Sequence, residues 1–163
     1  MEKLYKKLMA IEIAVLIICV VLMFIPVVKV NCGMISNEKI NSWHAIFGLN
    51  KEIGSTQGKF TTFSFLCLLP YLLLILIFVL NLIFDNKNNL FADFGKLLLF
   101  ITSAILFIFY IRLLNYNSFF VNYSEVKKYL TPQAGHILSA IVCFLGAAAA
   151  ILEIIRDIKY KRD

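Results

Sequence analysis

The chain has 163 residues, 61% of them hydrophobic and 16% charged, with a formal net charge of +6 and a mean hydropathy of +0.84. Soluble domains run near half apolar and a quarter charged, and a chain this short has too much surface to bury such an excess in water. A bilayer removes the difficulty, and because the basic residues gather at the ends of apolar runs, the charge argues for a membrane topology and against nucleic acid.

The first apolar run, Ala10 to Val28, follows Lys3, Lys6 and Lys7. It is longer than the apolar core of a cleaved signal peptide, and no A-x-A site follows it. Asn31 before Cys32 lacks the small side chain expected ahead of a lipidated cysteine. The run is therefore expected to stay as a first span, with Pro26 near its outer end. Glu12 lies about one turn inside, and an ionisable residue within a span is a functional candidate by default. Small four-span multidrug exporters couple protons through a glutamate in their first helix. The plainer reading sets Glu12 near the inner surface, paired with Lys96 or Arg156.

Residues 29–62 form a first outer loop. Asn41 or Ser42 can cap a short helix and Gly48 can end it, which puts Trp43, Ile46 and Phe47 on one face. So short a helix is unstable alone in water. It is expected to lie on the headgroup layer or against the second outer loop, as an interfacial cap or a partner surface. Leu49 to Lys59 reads as a mobile connector.

The second run, Phe63 to Phe84, carries no charge and is the surest span. Pro70 within it should free a carbonyl about one turn earlier and bend the helix. Asp85 to Lys96 reads as a short inner loop, followed by a third span over Leu97 to Leu114. Arg112, near its outer end, can snorkel to the headgroups or pair with Glu38, Glu52 or Glu125. The second outer loop, 115–133, is aromatic, and Phe119, Phe120 and Tyr123 are expected in the same cap.

Thr131 and Pro132 read as the N-cap and first residue of the fourth span, Ala134 to Ile155. In that span Gly135, Ser139, Cys143 and Ala147 recur every fourth residue, and Gly146 pairs with Ala150. Small residues so spaced let helix backbones approach in lipid. This face is expected to meet another helix of the chain or of a second copy. Beyond it, Glu153 with Arg156 and Asp157 with Lys161 read as modest intrahelical pairs on a cytosolic extension.

Basic residues are denser before the first span, between spans two and three and after the fourth, so both termini are expected inside. The cysteines offer no C-x-x-C pair at the outer surface, which excludes a quinone-linked disulfide enzyme in its usual form. With His44 and His136 far apart and no Cys/His/carboxylate cluster, neither a metal site nor a catalytic centre is expected, and no cofactor.

At FIPVVKVN, SWHAIFG and FTTFSFLCLLPYLLLILI the chain resembles bacterial four-span membrane proteins whose outer loop carries an aromatic-Ile-Phe-Gly element. The likeness covers the first half and implies topology, not an activity. The layout also resembles claudin-like proteins, without their cysteine pair or full tryptophan motif. The expectation is thus a single domain over 1–163. It is an all-α membrane protein, a four-transmembrane-helix bundle with a small extracytoplasmic cap, placed by its Lys-, Asn- and Ile-rich composition in a bacterial cell membrane. Its partners would be the bilayer and either a membrane protein or further copies of itself. An accessory, regulatory or immunity-type role, without enzyme activity, is expected; the alternative is a small oligomeric transporter or channel using Glu12.

Overall fold

The structure, a computed structural model, describes residues 2–32, 35–53, 56–84, 89–114 and 130–160. Most of them are helical. In chain order they form α1 (Glu2–Leu22), β1 (Pro26–Cys32), β2 (Ile35–Asn41), α2 (Ser42–Phe47), β3 (Leu49–Ile53), β4 (Thr56–Thr61), α3 (Phe65–Ile83), α4 (Leu90–Ile108), a 3-10 turn (Tyr110–Leu113), β5 (Leu130–Pro132) and α5 (Ala134–Tyr160). Two small sheets are present, so the all-α expectation is corrected: the polar stretches between the apolar helices pair as strands.

Helices α3, α4 and α5 are long and apolar enough to cross a membrane; α1, which carries Lys6, Lys7 and Glu12, is not among them. The 19 residues of α3 and of α4 span about 28 Å at 1.5 Å each, close to the hydrocarbon thickness of a bilayer. Ser64 starts α3 by accepting a hydrogen bond from Cys67 N at 3.3 Å. Asn89 starts α4 by accepting from Phe91 N and Ala92 N. The stretch after Asn89, expected as loop, is therefore the first two turns of α4. Helix α3 runs through Pro70, whose own carbonyl accepts from Ser103 Oγ at 3.3 Å.

Each long helix turns one stripe inward. In α3 this stripe is Cys67, Pro70, Tyr71, Leu74, Ile77 and Asn81; in α4 it is Ala92, Asp93, Lys96, Phe100, Ser103, Ala104 and Phe107. Helix α4 packs on α3 and α5, and α1 on α3 and α5. The outward faces carry Leu72, Ile75, Leu76, Ile101, Ile105, Ile141, Phe144, Ile151 and Leu152, all exposed. Large aliphatic residues thus cover the outside, while the charged side chains of these stripes lie inside with alanine, serine and a few large apolar residues such as Leu74, Ile77 and Phe100.

The strands sit at the end where α1 and α4 finish and α3 and α5 begin. Antiparallel β1 lies between β2 and β5, with Lys29 opposite both Lys39 and Thr131. A register shift between Pro26 and Val28 lets neighbouring Val27 and Val28 both face inward, as a bulge does. Residues 26–28, expected at the end of the first span, instead open this sheet. Thr131 and Pro132 likewise belong to β5 and do not cap α5. Leu49 to Lys59, expected as a connector, supplies an antiparallel β3–β4 pair. Gly48 turns the chain into it at φ 94°.

Candidate functional site

The densest chemistry lies toward the opposite end, within the first three turns of α1, the first two of α4, the last turn of α3 and the last two of α5. Lys96 Nζ is 3.0 Å from Asp93 Oδ1 and 3.5 Å from Glu12 Oε2. It also bonds Glu153 Oε2 and donates to Asn81 Oδ1 at 3.2 Å. Asn81 Nδ2 in turn donates to Glu12 Oε2 at 2.7 Å. Next to this group Arg156 Nε donates to Asp157 Oδ1 at 2.8 Å. Glu12, Asn81, Asp93, Lys96, Glu153, Arg156 and Asp157 are all buried. One lysine thereby joins all four long helices: Glu12 from α1, Asn81 from α3, Asp93 from its own α4 and Glu153 from α5.

A charge inside a span costs roughly 2.5–3.5 kcal/mol, so ionisable groups persist there when they pair and face one another. The cluster meets that demand only in part. Glu12 Oε1, Asp93 Oδ2, Glu153 Oε1 and Asp157 Oδ2 have no hydrogen-bond partner among the described residues. The arrangement can lock helix register, and its open carboxylate oxygens can hold exchangeable protons. Among the described residues no group of His, Cys, Asp and Glu is arranged to hold a metal ion.

Glu12 therefore meets Lys96, one of the two cations set against it from the sequence, while Arg156 bonds Asp157. The expectation of surface pairs on a cytosolic extension is corrected: Glu153, Arg156 and Asp157 are buried, and Glu153 bonds across to Lys96 rather than along its own helix. Lys161 lies outside the described residues. Sequence reasoning set Lys96 against Glu12 but missed Asn81, Asp93 and Glu153 as members of the same site. The available signal was a charge beside an apolar run, Lys96 before LLLF, in step with Asp93 three positions earlier.

The small-residue stripe of α5 divides between two neighbours. A Cβ on Gly135 would stand 2.7 Å from Ile25 O and 2.8 Å from Pro26 O. Ser139 Oγ bonds back to Gly135 O at 3.0 Å, and Cys143 Sγ lies 3.9 Å from Cys19 Sγ of α1. Gly146 instead faces α4, where a Cβ would stand 2.7 Å from Cδ1 of Phe100. Ala147 and Ala150 are buried with them. The stripe is used inside this chain.

At the strand end, Asn41 Oδ1 accepts from His44 N at 2.9 Å and caps α2. The shared face expected for Trp43, Ile46 and Phe47 is corrected, because Ile46 is 0% exposed in the core whereas Trp43 is 46% and Phe47 51% exposed. The Trp43 ring centroid lies 4.3 Å from that of Phe47 and stacks with exposed Phe24 at 6.2 Å. Phe119, Phe120 and Tyr123 lie outside the described residues. Arg112 is far from the ion-pair cluster, with its guanidinium 5.3 Å from the centroid of the Phe109 ring. Compared with family models, curated proteins and solved structures, the chain matches none.

Proposed function

We propose that α1, α3, α4 and α5 all cross a bacterial cell membrane as a four-helix bundle, with both termini cytoplasmic and the strands and α2 as an outer cap. In this reading the protein acts by contact with another membrane protein, as an accessory, regulatory or immunity-type subunit. The observation that carries it is the distribution of side chains: large apolar residues cover the outward faces of the helices, and buried ionisable ones face each other. A surface of that kind suits lipid and other helices, not water. Lys96 and its carboxylates serve to join the helices, which leaves the outward faces and the Phe24–Trp43–Phe47 aromatics as the parts available to a partner.

The test is purification of the tagged chain from its native membrane in a mild detergent. A stoichiometric partner that is released when Trp43 and Phe47 become Ser is expected. A lone particle, active or not, would overturn the accessory role. A second reading, proton-coupled transport through Glu12, draws support from the open oxygens of Glu12 and Glu153. For that reading Glu12→Gln must abolish proton-driven flux in proteoliposomes while the fold survives.

A further inference from the structure

Between the end of α4 and the start of α5 runs a groove of about 650 Å³, lined by Ile108, Ile111, Ile137, Ile141 and Phe144 along its apolar length, with Arg112 and His136 at one end. Ile137, Ile141 and Phe144 follow at helical spacing on one side of α5, so the groove descends along that helix for about two turns, roughly 12 Å. Arg112 stands four residues beyond the end of α4, where a helix that has crossed the hydrocarbon reaches the headgroups. Its guanidinium carbon lies over the Phe109 ring, 5.3 Å from the centroid, a cation–π distance that does not use up the N–H donors. Among the described side chains no carboxylate pairs with it; those of Glu38, Glu52 and Glu125 lie outside them. Buried His136 adds a polar group at the same end, and its Nδ1 has no partner among the described residues.

We infer that this groove binds an anionic phospholipid, with Arg112 holding the phosphate and the apolar channel one acyl chain. The inference rests on the helices being membrane spans. Charge complementarity selects the headgroup: a guanidinium that none of the described carboxylates engages matches a phosphate bidentately and favours lipids without a compensating cation. The groove selects a chain over a free phosphate, since its walls are aliphatic and aromatic.

The test uses the full chain, delipidated in detergent, titrated with phosphatidylglycerol and with phosphatidylcholine of matched chains, and read by native mass spectrometry. Loss of one charge-assisted contact is worth about tenfold in affinity, so the wild type should prefer phosphatidylglycerol by about that factor. Arg112→Gln should erase the preference, Arg112→Lys should keep part of it, and Ile141→Trp, which fills the groove, should weaken both lipids. Glycerol phosphate should not displace the bound lipid. Equal binding of both lipids by the wild type, a preference that survives Arg112→Gln, unchanged binding by Ile141→Trp, or displacement by glycerol phosphate would each overturn the proposal. Circular dichroism of the exposed-site variants should match the wild type. Release of the protein from membranes by alkaline washing is a separate outcome, and it would overturn the membrane reading itself.

Discussion

Lys96 is the residue on which the helix ends depend. Replacing it with Met takes from Glu12, Asp93 and Glu153 the cation they share, and breaking a buried ion pair from one side costs about 3–5 kcal/mol. Lys96→Met should therefore lower the thermal midpoint in detergent sharply, whereas Lys96→Met combined with Glu153→Leu should lose less than the sum of the two single changes. Additive losses would show that the Lys96–Glu153 contact carries no coupling. At Gly135 an added Cβ meets the carbonyls of Ile25 and Pro26, which cannot rotate away as a side chain can. Gly135→Ala should cost about 1–3 kcal/mol as overpacking, and the same melting assay reads it. Sequence alone placed Glu12 inside a span and nominated Lys96 or Arg156 as its partner. It could not assign Glu153 and Asp157, because their spacing to Arg156 and Lys161 fits a solvated helix as well as a buried one. What decides is the rotation of α5 against α4, a property of packing and not of local pattern.

The long helices were legible because an uninterrupted apolar run leaves the backbone no alternative in lipid. Their ends were less so, since apolar residues continue past α1 into Pro26, Val27 and Val28, where β-branched side chains suit a strand as well as a helix. The sheet was not legible at all. Strand β1 pairs with β5 from the far side of the chain, and β5 is only Leu130–Pro132, too short to show a period. The pairing places Lys29 opposite Thr131, and opposed residues on antiparallel strands have Cα atoms about 4.5–5.5 Å apart, within disulfide reach. A Lys29→Cys/Thr131→Cys variant, with Cys32 changed to Ser, should cross-link spontaneously when the strands face an oxidising compartment. Gel mobility before and after reduction reads the result. A chain that stays reduced in intact cells, yet cross-links once oxidant is added to lysate, would place the strands on the inside.

For the whole molecule, the two ends of the helices are expected in different compartments. A membrane-impermeant maleimide applied to intact cells should label Trp43→Cys, which is exposed beside Phe24 and Phe47, and should reach Lys7→Cys only after the cells are opened. Labelling of both positions, or of neither, in intact cells would contradict a topology with the termini inside. The architecture also explains why three helices satisfy length and apolarity while α1 does not. Lys6 and Lys7 stand on its first turns, and Glu12 becomes tolerable only after Asn81 and Lys96 have surrounded it.

That dependence sets an order of events during synthesis. The last helix brings both Glu153 to Lys96 and, just ahead of it, the strand that closes on β1. A nascent chain lacking it holds Lys96 with Glu12 and Asp93 but without Glu153 at one end of the helices, and a bare strand edge at the other. Ribosome-arrested intermediates that stop before residue 130 should accordingly be digested quickly by membrane proteases, and the chain that includes α5 should survive. In that order α5 is the clasp of the fold, fastening Glu153 to Lys96 at one end and following the strand that closes on β1 at the other.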